Sequence, residues 1–116
     1  MFSSVTLLSF QTTVVGTTAV IALTGELDVA GSELVEREMV RVVADFEVGT
    51  VVLDLSRLGF MDSTGLRLVV LADARAREAG HDLVLVRGRP DVQRVFAITR
   101  MEDRLTFVDD AGEVTG

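Results

Sequence analysis

The chain has 116 residues, which fits one domain, and 48% of them are apolar, enough for an aliphatic core. It contains no cysteine, which excludes disulfides, thiolate metal sites and a thiol nucleophile. The net charge is −7 and all eleven basic residues are Arg, which excludes a P-loop lysine or a Schiff base and disfavours direct binding to nucleic acid or to an anionic membrane.

The first part of the chain is predicted to form a hairpin and a helix. Residues 5–15 and 20–23 are rich in Val, Leu, Phe and Thr, and the glycine-containing stretch 15–18 is typical of a turn. Residues 25–28 end the second strand. Apolar residues at helical spacing then predict a helix over residues 32–46, capped by Ser32. Its predicted inner face consists of Leu34, Val35, Met39, Val42, Val43 and Phe46.

The rest of the chain alternates strands and helices. Strands are predicted over residues 50–55, 83–86 and 105–108, and helices over residues 66–79 and from Pro90 onward. The order β-β-α-β-α-β-α-β predicts the α/β class, with a mixed, mostly parallel sheet in one domain over residues 1–108. Residues 109–116 are polar and acidic, which predicts a flexible tail.

Localisation is predicted from what the sequence lacks. No apolar run approaches the ~18 residues of a membrane span. The amino terminus lacks the basic start of a signal peptide. We therefore expect a cytoplasmic protein.

The Asp-Ser-Thr-Gly stretch at residues 62–65 stands where the third strand passes into the second helix. Asp, Ser and Thr all accept hydrogen bonds from the free N–H groups of a first turn, so a helix cap is the simplest interpretation. One cap needs only one side chain, however, and apolar Phe60 and Met61 precede the polar ones. An apolar rim around a polar centre is typical of a docking surface. Residues 25–28 end the neighbouring parallel strand and are expected at the same edge of the sheet.

A hydroxyl at this position also fits a phosphorylation switch. The helix dipole and the free amides of the first turn tolerate a phosphate, so the fold need not change. A docked partner would instead meet about two new negative charges beside Asp62. The hypothesis is that phosphorylation of one of the two hydroxyls, on Ser63 or Thr64, releases a partner.

Three segments carry a resemblance to a known family: residues 23–28, residues 51–56 and, above all, the Phe-Met-Asp-Ser-Thr-Gly-Leu stretch at 60–66. Over nearly its whole length the chain resembles the STAS-domain family of bacterial anti-sigma factor antagonists, or anti-anti-sigma factors. The resemblance implies that the unphosphorylated protein binds an anti-sigma factor that is also a serine kinase, and so frees a sigma factor. It also implies that this kinase phosphorylates Ser63 and that a PP2C-type phosphatase resets the switch.

The resemblance assigns roles to individual residues. Ser63 accepts the phosphoryl group, with Thr64 as the less favoured acceptor, and it is not a catalyst, because the kinase supplies the base and the metal. The chain is accordingly expected to be no enzyme, to hold no metal and to need no cofactor. The expected partner-binding residues are Gly25, Glu26, Asp28, Phe60, Met61, Asp62, Thr64, Gly65 and Leu66.

Other functions fit parts of the sequence. A response-regulator receiver would use Asp54 as phosphoacceptor, but it also needs a lysine, and this chain has none. A hydrolase would use Ser63 as nucleophile, but the only histidine, His81, is expected ~20 Å away at the far end of the helix. Two alternatives stay open: a STAS-like module that binds a nucleotide or another ligand or assembles with itself, and a constitutive partner-binding domain without a phosphoswitch.

Overall fold

The computed structural model describes residues 7–115 of the chain. They form a five-stranded sheet in the order β1-β2-β3-β4-β5, in which β1 is antiparallel to β2 and the other neighbours are parallel. The elements in chain order are β1 (Ser9–Val15), β2 (Thr18–Leu27), α1 (Val29–Val43), β3 (Thr50–Met61), α2 (Ser63–Glu78), β4 (Asp82–Val86), α3 (Pro90–Ile98), β5 (Phe107–Val108) and α4 (Gly112–Thr115), with one 3-10 turn at Met101–Asp103. The predicted fold class and element order are confirmed.

The predicted hairpin consists of β1 and β2. Val15 pairs with Thr18 across a two-residue loop, and the φ angle of Gly16 is 62°, in the left-handed region that favours glycine. The register then runs without a break to the pair Ser9 and Thr24. The antiparallel strand β1 therefore forms one edge of the sheet.

A buried carboxylate ties β1 to α1. The Thr12 hydroxyl donates a hydrogen bond to Glu38, and the guanidinium of Arg41 donates two more to the same carboxylate, each 2.7 Å long. The hydrogen bond from Arg41 is the main reason why the pKa of Glu38 lies below its ordinary value. Glu38 therefore remains charged although its side chain is nearly enclosed.

One contiguous hydrophobic core joins the sheet to the helices. Ile21, Leu53 and Leu85 come from three neighbouring strands, and Val35 and Phe96 come from α1 and α3. Fully burying a side chain of this kind contributes about 1.5–3 kcal/mol, so an aliphatic core compensates for the scarcity of aromatic residues. The core fixes the strand ends from which the candidate site is built.

The structure corrects the prediction for the first helix. α1 begins at Val29 and is capped by Asp28, whereas Ser32, the predicted cap, is buried inside the helix. Leu34 is exposed, and Phe46 lies beyond the end of the helix with 93% of its surface exposed. Val35, Met39 and Val42 are buried in the stripe that faces the sheet, at helical spacing, and the partly buried Val43 packs against the same core.

The third strand and the second helix are both longer than predicted. β3 continues past residue 55 to Met61, and α2 begins at Ser63, so only Asp62 lies between them. The polar residues after 55 predicted a loop, but Arg57 pairs with Thr24 and the strand follows β2 to its end through two register shifts. The candidate site is therefore a direct strand-to-helix junction.

The acidic tail contains a short ordered motif. The Glu113 carboxylate accepts hydrogen bonds from the backbone N–H groups of Asp109 and Asp110, at 2.8 and 3.0 Å, and α4 follows as one helical turn. Arg87 also pairs with Asp109 at 3.0 Å. The flexibility of the tail and the boundary at residue 108 remain predictions.

Candidate functional site

Asp62 connects β3 to α2 and caps the helix. Its backbone is extended, and one carboxylate oxygen accepts hydrogen bonds from the N–H groups of Thr64 at 2.9 Å and Gly65 at 3.1 Å. A cap of this type stabilises a helix by about 1 kcal/mol. The capping role predicted for Asp62 is confirmed, but the amides expected to stay free for a phosphate are already occupied by its carboxylate.

The two hydroxyls that follow Asp62 lie in different surroundings. Ser63 is the first residue of α2 and is exposed to solvent. Thr64 is half-buried and lines a groove of about 290 Å³ between α1 and α2, together with Arg67 and Leu71. Of the two candidate acceptors, Ser63 is therefore the more accessible.

Gly65 allows the start of α2 to approach the ends of two strands. A Cβ atom on Gly65 would lie 2.6 Å from the carbonyl oxygen of Leu27 and 2.6 Å from Cγ of Met61. Met61 itself is buried. Gly65 and Met61 therefore lie beneath the surface and support the start of α2, where Ser63 lies. The close approach that Gly65 permits is between two parts of this chain and not between the chain and a partner.

A second junction of the same construction lies beside the first. β2 and β3 run parallel with Leu27 opposite Met61, so Asp28 and Asp62 follow paired residues. Asp28 caps α1 through a hydrogen bond from the N–H of Gly31 at 3.0 Å. Each junction has the pattern Asp-x-x-Gly, and this repeated spacing is the signal that could have identified Asp28 as a cap from the sequence.

Other residues predicted to bind a partner lie around these two junctions. Phe60 has 47% of its surface exposed, and Glu26, its register partner on β2, is half-buried like Leu66. Gly25 adopts a φ angle of 103°, and a Cβ atom there would lie 2.1 Å from the carbonyl oxygen of Leu7. The structure therefore brings the predicted residues together around the carboxyl ends of β2 and β3. Some of them lie on the surface and others support it from beneath.

The residues on which the rival functions depend lie elsewhere or have local partners. His81 lies beyond the far end of the 16-residue helix α2, a length of about 24 Å, and its Nε2 is 2.9 Å from the carbonyl oxygen of Val43. It cannot act as a base for Ser63. The Asp54 carboxylate accepts a hydrogen bond from the N–H of Ser56 at 2.9 Å, a local contact within β3 where its register with β2 shifts.

Two other features are absent from the part of the chain that the structure describes. Within residues 7–115, no group of three or more His, Asp or Glu side chains is arranged to hold a metal ion. None of the helices in this range has both the length and the apolar character needed to cross a membrane.

The sequence of this α/β domain matches a known domain family. The family model for the STAS domain matches residues 9–114, and the chain belongs to that family. BtrV of Bordetella bronchiseptica, provisionally named an anti-sigma factor antagonist, is 39% identical over 77 residues, a segment that makes up 66% of each of the two chains.

Solved structures of an anti-sigma factor antagonist have the same fold. The unphosphorylated form of SpoIIAA matches with a TM-score of 0.77 and 27% identity, over 91% of this chain and 92% of that chain. The phosphorylated form of the Bacillus cell fate determinant SpoIIAA matches with a TM-score of 0.71 and 26% identity, over 91% and 96%.

Proposed function

We propose that this chain is an anti-sigma factor antagonist whose docking surface is switched by phosphorylation of Ser63. The unphosphorylated form binds an anti-sigma factor that is also a serine kinase, and a sigma factor is thereby freed. The kinase transfers the γ-phosphoryl group of ATP to the Ser63 oxygen, whose proton passes to a base of the kinase, and the antagonist is released. A PP2C-type phosphatase hydrolyses the phosphate ester and restores the binding form.

One observation carries the proposal: the Ser63 hydroxyl is exposed at a position where the fold does not need it. At the neighbouring junction the equivalent residue is Val29, which has no hydroxyl, and α1 still begins there under its aspartate cap. Asp62 provides the cap of α2 through its own carboxylate. The hydroxyl is therefore available for chemistry.

The charges around Ser63 explain how a phosphate would act. Asp62 and Asp28 follow paired strand residues, and Glu26 lies at the same edge of the sheet. Because Asp62 occupies two amides of the first turn, a phosphate on Ser63 would remain at the surface. A closely docked partner would meet about two additional negative charges in an already acidic area, which weakens the complex.

In this proposal the chain is the substrate of the kinase and not an enzyme. Ser63 has no histidine within reach, since His81 lies at the opposite end of α2. The kinase supplies the base, the metal and the nucleotide. The switch acts in the cytoplasm through protein contacts, without direct binding to nucleic acid or to a membrane.

The relatives support this proposal. BtrV bears the name of an anti-sigma factor antagonist, and SpoIIAA is described both in an unphosphorylated and in a phosphorylated form. The exposed serine at the start of α2 is the residue of this chain that best fits such a modification.

Intact-protein mass spectrometry tests the proposal directly. The protein is incubated with Mg²⁺-ATP and a candidate anti-sigma kinase, and we expect one added phosphate. The gain in mass should vanish in Ser63→Ala and persist in Thr64→Ala, the matched control at the adjacent hydroxyl.

The complex is measured in the same experiment by size-exclusion chromatography. Ser63→Ala should bind the kinase and stay bound in the presence of ATP, whereas the wild-type complex should dissociate. A stable complex that never acquires phosphate would overturn the switch and leave a constitutive binding module.

A further inference from the structure

The charges of this protein are distributed unevenly along the chain. All eleven basic and all eighteen acidic residues lie between Glu26 and Glu113, and residues 1–25 contain none. β1 lies entirely within this uncharged part. In a protein with a net charge of −7, one edge of the sheet is therefore built without charges.

The outer side of β1 offers backbone hydrogen-bonding groups. In the part of the chain that the structure describes, no strand lies against this side. Val15 and Thr18 flank a two-residue loop and form a hydrogen-bonded pair. Hydrogen-bonded and non-hydrogen-bonded pairs alternate from there along the hairpin, so Phe10, Thr12 and Val14 direct their N–H and C=O groups away from β2.

Exposed sheet edges are usually protected against pairing. Common devices are charged side chains, proline, bulges or very short strands. β5, at the opposite edge, is two residues long. β1 has seven residues and an unbroken register, contains neither charge nor proline, and exposes 58% of Val14. It lacks every one of these protections.

We propose that β1 pairs antiparallel with β1 of a second copy of this chain and forms a symmetric dimer with one continuous ten-stranded sheet. The pairing is centred on Thr12, so Phe10 of one copy lies opposite Val14 of the other. This places two bulky apolar side chains against each other on the same face, a favourable cross-strand contact.

Charge identifies a second copy as the partner. Two copies with a charge of −7 repel each other over most of their surfaces, and least where both lack charges. Glu38, whose carboxylate contacts Thr12 of β1, is paired with Arg41. A two-fold axis at Thr12 makes the edge complementary to itself, as an isologous interface requires.

The dimer would leave the Ser63 site accessible. Ser63 follows β3, which is separated from β1 by β2, a distance of about 10 Å across the sheet. The inference does not depend on the proposed function, because it concerns the outermost strand β1 and not the strand ends beside Ser63.

Sedimentation velocity over a range of concentrations tests the dimer on the full chain. We expect a mass that rises toward twice the monomer value. Val14→Lys should raise the dissociation constant at least about tenfold, because it places a charge at each end of the pairing. Val14→Pro should act similarly, since it removes an outward N–H and leaves the bonds to β2 intact. Ile98→Lys, which adds the same charge at an exposed apolar residue of α3, should leave the dimer unchanged.

Amide hydrogen exchange of the wild-type protein supplies a test that needs no variant. Exchange at Phe10, Thr12 and Val14 should slow as the concentration increases, while the inward amides of Gln11 and Thr13 should not change. A monomer at every concentration overturns the proposal. So does a dimer that survives both Val14 substitutions, or equal dissociation by Val14→Lys and Ile98→Lys.

Discussion

The two strand-to-helix junctions of this domain have the same construction and different surfaces. In both, an aspartate caps the helix and a glycine three residues later allows a close approach to a neighbouring backbone. Between aspartate and glycine, α1 has Val29 and Ala30, whereas α2 has Ser63 and Thr64. Val29 exposes 71% of its surface, so even the apolar version of this position faces solvent.

The comparison separates what the fold requires from what it does not. The aspartate and the glycine recur because each performs a structural task that its neighbours cannot replace. The two residues between them are free to vary, since neither supplies the cap. A hydroxyl that appears at only one of the two junctions is therefore better explained by function than by folding.

The largest expected effect concerns the glycines. Gly65→Ala should lower the free energy of unfolding by about 2 kcal/mol, because the new Cβ would lie 2.6 Å from the Leu27 carbonyl oxygen. Gly31→Ala should cost about 1 kcal/mol, since its closest approach is 2.9 Å. Urea denaturation measures both, and a neutral Gly65→Ala would show that the junctions tolerate a side chain.

Removing the caps should have the next largest effect. Asp62→Ala should cost about 1.5 kcal/mol and Asp28→Ala about 1 kcal/mol, because Asp62 accepts two backbone hydrogen bonds and Asp28 one. Denaturant midpoints of the two variants give the comparison. If Asp28→Ala were the more damaging, the hydrogen bonds described here would not be what holds the junctions.

Charge at Ser63 should affect binding and not folding. Ser63→Asp should weaken binding to the anti-sigma kinase about tenfold relative to Ser63→Ala, because it adds a negative charge to an acidic contact. Isothermal titration calorimetry on both variants measures this difference. Equal affinities would exclude the charge mechanism.

The smallest expected effect comes from exchanging the variable residues. Ser63→Ala and Val29→Ser should each change the free energy of unfolding by less than about 0.5 kcal/mol. Val29→Ser also provides an acceptor at the wrong junction, and mass spectrometry should find no second phosphate on it. A stability loss above 1 kcal/mol in Ser63→Ala would give that hydroxyl a structural role.

The strands and helices could be predicted from the sequence because they alternate cleanly. The end of β3 was missed, since Ser56, Arg57 and Gly59 have the composition of a loop although the strand continues beside β2. The cap of α1 was missed for a related reason. A first turn of Val29, Ala30 and Gly31 contains no polar residue, so Ser32 resembled the first capping candidate.

The candidate site could be predicted only in part. The choice of residues 62–65 as a candidate site followed from their chemistry, and the role of Asp62 followed from capping. The burial of Met61 beneath the surface depends on the register between β2 and β3, which no local pattern contains. Recognition by a partner depends on a second molecule, so its residues remain predictions.

The carboxylate of Asp62 has a consequence for protein turnover. Since it already satisfies the amides of Thr64 and Gly65, a phosphate on Ser63 would add no cap to α2, and we expect it to change the resistance to unfolding little. Proteases that degrade transiently unfolded molecules would then remove both forms at similar rates. A cell could change the ratio of the two forms while the total amount of the protein stays constant.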